Sequence, residues 1–320
     1  MPRLPFPLSS FLLNLNLLSR LPPCEVGMIV DKGVDFPQEI DAALKTYGES
    51  MWFFREQAGV TTTRALNTYS GDHRDFQYLT PRRRITPCDL TGTPLFRPTT
   101  LHFICSPARA AVIMSQVSQV EGWSPVSIYE PIPYRCVPEE LPALRNLLPL
   151  ISVLSPNAEE ALSLLSVPLP PTKSSIERAC HSFLDFGLGP GGTGWVIIRS
   201  GSLGAYVACR SQPGAWIDAY WRTDERVVDV TGAGNSFLGG LAAGLVLTNG
   251  DVFEGMCCPN GMHLDMCKPI NRSNNQPCFT RQYRHPTPSN STVCLSSLDH
   301  RAMFRGRSGM AIHHGEDCKS

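Results

Sequence analysis

The chain has 320 residues, and its 28 basic and 28 acidic side chains give a formal net charge of zero. This balance excludes a strong overall field that would attract nucleic acid or an anionic membrane, so any such partner would have to be recognised locally. The length suits one large α/β domain or two small domains, and we favour one large domain.

The cysteines and the N-terminal segment indicate a reducing, cytoplasmic location. The twelve cysteines are irregularly spaced, and none before residue 250 shows the CxxC pairing of zinc sites, so we predict no protein metal centre. Residues 11–18 resemble the apolar part of a signal peptide, but two asparagines interrupt them and no small-residue cleavage site follows. No apolar run is long enough to span a bilayer. We expect a soluble protein without a membrane partner, find no indication of direct nucleic-acid binding, and leave the oligomeric state open.

The region between residues 101 and 247 alternates short apolar runs with amphipathic stretches, which is typical of βα units around a parallel sheet. The predicted elements are, in chain order, strand 101–105, helix 107–117, strand 126–129, helix 139–148, strand 151–154, helix 157–165, helix 175–186, strand 195–199 and strand 205–209. The last two strands form a predicted hairpin. The sheet is therefore expected to change from parallel to antiparallel near one edge.

The two ends of the chain depart from this pattern, which divides it into residues 1–27, 28–255 and 256–320. The first segment is an atypical extension. The last is rich in Cys, Pro and Ser with little periodicity, and we expect it to be disordered or aberrant. A cysteine-rich metal module is the alternative, but the spacing of Cys258, Cys267 and Cys278 matches no common zinc pattern.

A glycine-rich turn at DVTGAGNSFLGG, residues 229–240, carries the clearest chemical signal. It follows a strand-like segment at 226–228 and opens an apolar helix that extends to about residue 247. Backbone N–H groups at such a helix start can approach an anion closely, and the helix dipole adds partial positive charge. The alternative is a tight strand-to-helix turn without a ligand, which a lone GxG would favour.

Three segments in order resemble the ribokinase-like (PfkB) family of sugar and nucleoside kinases. They are PNAEE at 156–160, RSGSLGA at 199–205 and DVTGAGNSF at 229–237, which are similar to the NxxE motif, the nucleotide-side GxxG hairpin and the DTxGAGDxF signature. The likeness covers roughly residues 28–255. It implies an α/β fold, a ribokinase-like three-layer sandwich with a mostly parallel central sheet, and ATP and Mg²⁺ as cofactors with a sugar or nucleoside as acceptor.

Within this family the chain most resembles the fungal maintenance-of-killer branch. The segments that suggest it are VDKGVDFP at 30–37, TRALNTY at 63–69, FQYLTP at 76–81 and LHFICSP at 101–107. The branch implies a role in maintaining a double-stranded RNA virus particle.

The resemblance assigns site residues position by position. Gly232, Ala233 and Gly234 would form the anion hole, and Asn235 would hold the general-base position. The predicted nucleotide and magnesium side comprises Asn157, Glu160, Ser200, Gly201, Gly204, Asp229 and Thr231.

Asn235 departs from the family, which has an aspartate there to accept the proton of the attacking hydroxyl. A carboxamide forms hydrogen bonds but cannot take up that proton, and losing a positioned base typically costs about 10²–10⁴ in rate. Asp229 is a possible substitute base, although capping or bracing the loop suits it better. We therefore expect weak or absent activity. The alternatives are an active small-molecule kinase and a non-catalytic interaction scaffold.

Other candidates have simpler alternatives. Asn157 and Glu160 could instead form a helix cap in which the glutamate is solvated. Arg64 could be a solvated surface side chain rather than a clamp for substrate or phosphate. His102 is expected to be a core histidine. The aromatic residues at 52–54 are expected to belong to the core rather than to a stacking platform.

The resemblance also indicates which elements of the family's fold this chain would lack. Family members normally begin with substrate-binding strands and a Gly-Gly motif, and end with helices that wall the adenine pocket. No Gly-Gly start precedes Gly27 and no such helices follow Gly255. We therefore expect a fold that is incomplete at both ends and a nucleotide pocket that lacks a wall.

Overall fold

The structure, a computed structural model, describes residues 25–70, 73–81, 83–219, 233–248, 250–257 and 292–294. Within these ranges, none of the helices combines the length and the apolar character needed to cross a bilayer.

The described residues contain eleven strands. They are β1 (Val26–Lys32), β2 (Trp52–Glu56), β3 (Ala65–Ser70), β4 (His73–Tyr78), β5 (Thr100–Cys105), β6 (Val126–Pro131), β7 (Val153–Leu154), β8 (Trp195–Arg199), β9 (Ala205–Cys209), β10 (Gln212–Ile217) and β11 (Thr292–Cys294). Nine of them form one sheet in the order β10-β9-β8-β7-β6-β5-β11-β1-β2, while β3 and β4 pair separately. All neighbours from β8 through to β2 are parallel, whereas β9 is antiparallel to both β8 and β10.

The α-helices cover both faces of this sheet. They are α1 (Gln38–Lys45), α2 (Pro107–Ser118), α3 (Leu141–Leu147), α4 (Ala158–Leu164), α5 (Lys173–Asp185), α6 (Ala233–Leu247) and α7 (Val252–Cys257). One core joins α2, α3, α4 and α5 to the sheet. The opposite face packs against α6 and α7 in one cluster, and against α1 in another. The molecule therefore has helix, sheet and helix layers.

Side-chain alternation explains why the central strands are apolar on both faces. In β8, Val196 and Ile198 enter the core beneath α5, whereas Ile197 between them enters the core beneath α6. Successive residues of a strand point to opposite faces, and a parallel sheet covered by helices on both sides buries both. The fold is thus the predicted α/β sandwich, with a mostly parallel sheet that becomes antiparallel at the β9–β10 edge.

Most predicted elements are confirmed within a few residues, and helix 139–148 differs most. It begins as a 3₁₀ turn at Pro138–Glu140, continues as α3 and ends as a second 3₁₀ turn at Leu148–Leu150. Pro138 is the first residue of the first 3₁₀ turn, and Pro149 is the second residue of the other. Proline lacks the N–H that continues an α-helix, so the prolines divide this segment.

The C-terminal segment contributes more to the sheet than we expected. Residues 292–294, which lie in the predicted tail, form β11 between β1 and β5. Helix α7 also extends two residues beyond the predicted boundary at 255. The strand-like segment 226–228, the extension before residue 25 and the remaining tail lie outside the described residues.

The aromatic residues at 52–54 belong to the core as predicted, and most of the described thiols are buried. Among the described cysteines, Cys105, Cys136, Cys180 and Cys209 are buried free thiols, and Cys88 is exposed. Trp52 is buried, and Phe53 and Phe54 pack against the core clusters.

Candidate functional site

Polar side chains gather at one edge of the sheet, where the parallel strands end. β6 ends with Glu130 and Pro131, β7 is followed by Asn157, and β8 ends with Arg199. The carboxyl ends of parallel strands meet along a single edge, which is where α/β sheets bind ligands. Two of the motif segments and the end of β6, which are distant in sequence, are therefore brought to one place.

A capping box fixes the start of α4 at this edge. The Asn157 side chain accepts a hydrogen bond of 2.8 Å from the Glu160 backbone N–H, and Glu160 Oε2 accepts one of 2.8 Å from the Asn157 backbone N–H. These bonds satisfy donors that a helix start leaves free. The predicted cap is confirmed, but Glu160 is 6% exposed rather than solvated.

Arg199 joins the NxxE segment to the GxxG hairpin. Its backbone N–H donates to Pro156 O at 3.1 Å, and the residue forms a parallel bridge with Asn157. Its Nη2 donates to Glu130 Oε1 at 2.7 Å and to Ser155 O at 3.0 Å, and lies 3.9 Å from Glu160 Oε2. The guanidinium is therefore the point on which β6, α4 and β8 converge.

Glu130 is the buried counterion of Arg199. Burial raises the pKa of Glu130, but the charges of Arg199 and His102 outweigh it and lower the pKa to about 2. Its second oxygen, Oε2, lies 3.8 Å from His102 Nε2. His102 is 8% exposed, so it is buried as predicted, yet it adjoins this ion pair.

The hairpin after Arg199 depends on a glycine. The Ser200 N–H donates to Gly204 O at 2.7 Å, which closes the turn around Gly201. Gly204 has a φ of 91°, and a Cβ placed there would lie 2.0 Å from the Ile217 carbonyl oxygen of β10. An L side chain is strained in this conformation and would clash with β10, so this turn requires a glycine at position 204.

The first turn of α6 brings the third motif to Arg199. A Cβ placed on Gly234 would clash with Arg199 Nη1, so a larger residue here would have to displace the guanidinium or the helix start. Asn235 follows, half-buried, and among the described residues its carboxamide has no hydrogen-bond partner. Ser236 is 6% exposed and its hydroxyl also has no partner there. Buried polar groups normally have partners, so this turn is suited to receive a ligand.

Other predicted site residues lie elsewhere or cannot be placed. Asp229, Thr231 and Gly232 lie outside the described residues. Arg64, the candidate clamp, directly precedes β3, is about half-exposed and forms an ion pair with Asp35. Asp35 also accepts a hydrogen bond from the Thr62 backbone N–H at 2.6 Å. Arg64 thus ties β3 to the loop after β1.

A second ionic network lies at the ends of β1 and β2. Arg55 donates to both oxygens of Asp31, at 2.7 and 2.9 Å, and to Asp89 at 2.7 Å. Gln57 donates to Asp31 at 3.1 Å. The Asp31 carboxylate is therefore already occupied by side chains of this chain. Among the described residues, no three His, Cys, Asp or Glu side chains lie close enough to hold a metal ion.

Sequence reasoning missed Glu130 and the role of Arg199. Glu130 ends a short apolar strand, and Arg199 lies 69 positions further along, within a segment noted only for its glycines. The available signal was a charged residue at the end of each apolar strand, because a charge that becomes buried there needs a partner.

Comparisons with known proteins place these features in a family. Residues 129–257 match the family described as pfkB family carbohydrate kinase. Protein MAK32 of Saccharomyces cerevisiae is 32% identical over 248 residues, which cover 72% of this chain and 67% of that protein. An uncharacterized protein of Schizosaccharomyces pombe is 32% identical over 231 residues, which cover 67% of this chain and 64% of that protein. The chain thus spans less than two thirds of the fission yeast relative.

The fold is also that of solved ribokinase-like structures. A crystal structure described as ribokinase II from E. coli, in complex with ATP and Mg²⁺, superposes with a TM-score of 0.52. It is 21% identical in sequence, and the match covers 78% of this chain and 79% of that one. This likeness concerns the three-layer architecture.

Proposed function

The chain belongs to the pfkB family of carbohydrate kinases, and from this premise we propose that it binds Mg–ATP at the carboxyl edge of its sheet but transfers the γ-phosphoryl group slowly or not at all. Asn235 is the observation that carries this proposal. It lies in the first turn of α6, next to Gly234, at the position where the family signature has its aspartate.

The residues at this edge fit a nucleotide phosphate. The start of α6 offers backbone N–H groups at Ala233 and Gly234, and the unpartnered hydroxyl of Ser236 adds a buried donor. The hairpin residues Ser200, Gly201 and Gly204 would border the nucleotide. The predicted contributions of Asp229, Thr231 and Gly232 stay predictions.

ATP supplies the phosphoryl group, and Mg²⁺ neutralises charge on its oxygens. Asn157 and Glu160, which are fixed together by their capping box, are the residues that would hold the magnesium ion. The start of α6 would orient the phosphate. The Asn235 carboxamide would hydrogen-bond the acceptor hydroxyl without removing its proton, and this limits the rate.

Calorimetry with Mg–ATP tests this proposal on the full chain and on Asn235→Asp. We expect both to bind. We expect Asn235→Asp to raise turnover with a sugar or nucleoside acceptor by about 10²–10⁴, because the carboxylate restores a base. Asn235→Ala is the matched control, since it removes the carboxamide without adding a base, and its turnover should not rise above that of the parent chain.

The other outcomes point to the alternative functions. Turnover of the parent chain at the level of Asn235→Asp would identify an active small-molecule kinase and contradict the proposal. Absence of Mg–ATP binding in both proteins would leave a non-catalytic interaction scaffold. A cytoplasmic location, which the cysteines and the N-terminal segment indicate, stays a prediction. A role in maintaining a double-stranded RNA virus particle follows from the resemblance alone and also stays a prediction.

A further inference from the structure

The Arg199 guanidinium has unused hydrogen-bond donors beside the proposed site. Its side chain is 12% exposed. Of its five N–H groups, the Nη2 pair is engaged by Glu130 Oε1 and Ser155 O. Nε is buried without a partner, and among the described residues Nη1 has no hydrogen-bond partner either. Glu130 thus fixes the guanidinium through one nitrogen and leaves Nη1 available.

Nη1 is the nitrogen that touches the start of α6. Its contact with Gly234 places it beside the backbone that leads into Asn235. Ser236, in the same turn, supplies an independent indication that this turn binds a ligand, because its hydroxyl is buried and has no partner among the described residues. Within the described ranges this hydroxyl bonds no backbone carbonyl, which is the usual partner of a helical serine.

These groups favour a different ligand from that of a kinase with an aspartate base. An aspartate at 235 would place a negative carboxylate next to a newly formed phosphate ester and repel it. Asn235 is neutral and can donate a hydrogen bond, and a guanidinium matches phosphate oxygens in geometry and charge. The site has therefore lost a group that repels phosphate esters. The charge of Arg199 is balanced by Glu130, but its Nη1 group remains available as a donor.

We propose that Arg199 and Asn235 together make this site a receptor for a phosphate monoester of a sugar or nucleoside, in preference to the matching alcohol. The proposal rests on the proposed function, since it concerns the same site. The phosphate group would accept hydrogen bonds from Arg199 Nη1, the Asn235 carboxamide and Ser236, with Glu130 holding Arg199 in place. No bond is formed or broken in this step.

Calorimetry with matched pairs of probes tests the preference without ATP. The pairs are ribose with ribose 5-phosphate and adenosine with adenosine monophosphate, and inorganic phosphate is titrated alone. We expect at least one ester to bind about 10- to 100-fold more tightly than its alcohol, as charge-assisted hydrogen bonds allow. Equal affinity within both pairs would overturn the proposal. Tight binding of inorganic phosphate with no gain from the sugar or nucleoside would overturn the assignment of an ester ligand.

Three variants separate this role from a structural one. Arg199→Gln should abolish the preference for the ester, Arg199→Lys should restore part of it, and Arg210→Gln should leave it intact. Arg210 is the control because its bonds go to the Leu184 and Asp185 carbonyls. An ester preference that survives in folded Arg199→Gln would contradict the inference.

Asn235→Asp covers the case in which Arg199→Gln does not fold. This near-isosteric change should weaken ester binding about tenfold or more through charge repulsion. Unchanged ester affinity in Asn235→Asp would contradict the inference. Failure of the parent chain to bind Mg–ATP, with the ester preference present, would instead overturn only the nucleotide part of the proposed function.

Discussion

At the scale of single residues, the lack of a side chain at Gly234 allows the start of α6 to contact the Arg199–Glu130 ion pair. Gly234 leaves room for Arg199 Nη1, which Glu130 holds in place. The guanidinium lies at the end of a flexible side chain, but its bond to Glu130 and its burial oppose a shift. Any larger residue at 234 would have to displace it or the helix start.

Gly234→Ala is expected to lower the free energy of unfolding by about 1–3 kcal/mol, because it overpacks this contact. In an Arg199→Ala background the same change should be neutral or stabilising by up to about 1 kcal/mol, because alanine favours the helix. Urea denaturation of the four proteins measures both values. Equal losses in the two backgrounds would show that the contact with Arg199 is not the cause.

Single residues also mark the limit of prediction from sequence. The place of Asn235 at the start of α6 could be predicted because it lies in a short contiguous motif, whereas its role at the base position stays a prediction. The Arg199–Glu130 pair could not be predicted, because it depends on the order and register of strands β6, β7 and β8. Local patterns do not encode which strands become neighbours.

At the scale of elements, two helices start in the same way but differ in location. Asn157 and Glu160 cap α4 at the candidate site, whereas Thr172 and Ser175 form a capping box on α5. Both boxes satisfy the same backbone groups. They therefore allow the structural and ligand-binding effects of a cap to be separated.

Asn157→Ala and Thr172→Ala are each expected to cost about 1 kcal/mol of stability, the typical value of a lost cap. Only Asn157→Ala should also weaken Mg–ATP binding, because its cap belongs to the proposed site. Thermal denaturation and calorimetry on both variants check this. Equal nucleotide affinity of the two variants would remove Asn157 and Glu160 from the site.

The elements differ in how well the sequence predicts them, and the reasons are physical. Helix α2 was predicted almost to the residue, because Ser106 caps it and Pro107 suits its first turn. β11 was missed because three residues without periodicity become a strand only when neighbours on both sides supply hydrogen bonds.

At the scale of the whole molecule, the buried ion pair makes stability depend on pH. The pKa of Glu130 falls from an ordinary value of 4.5 to about 2 on folding. A lowered carboxyl pKa stabilises the folded state fully above the unfolded pKa, and this contribution is lost as the pH falls through the folded pKa. The window therefore runs from about pH 4.5 down to about pH 2.

Glu130→Gln is expected to lose about 3 kcal/mol of unfolding free energy at neutral pH, as a shift of this size implies. The difference from the parent chain should shrink between pH 4.5 and 2. Denaturant titrations across this range measure it, and Glu159→Gln, on the exposed side of α4, is the control. A difference that stays constant with pH would show that Glu130 acts through packing alone.

The position of β11 has a consequence during protein synthesis. This strand separates β1 from β5, yet it leaves the ribosome about 190 residues after β5, roughly 10–40 s later at typical elongation rates. Until then the edges of β1 and β5 that β11 later covers are open, and open strand edges pair with other chains. The nascent chain should therefore depend on holding chaperones for that interval.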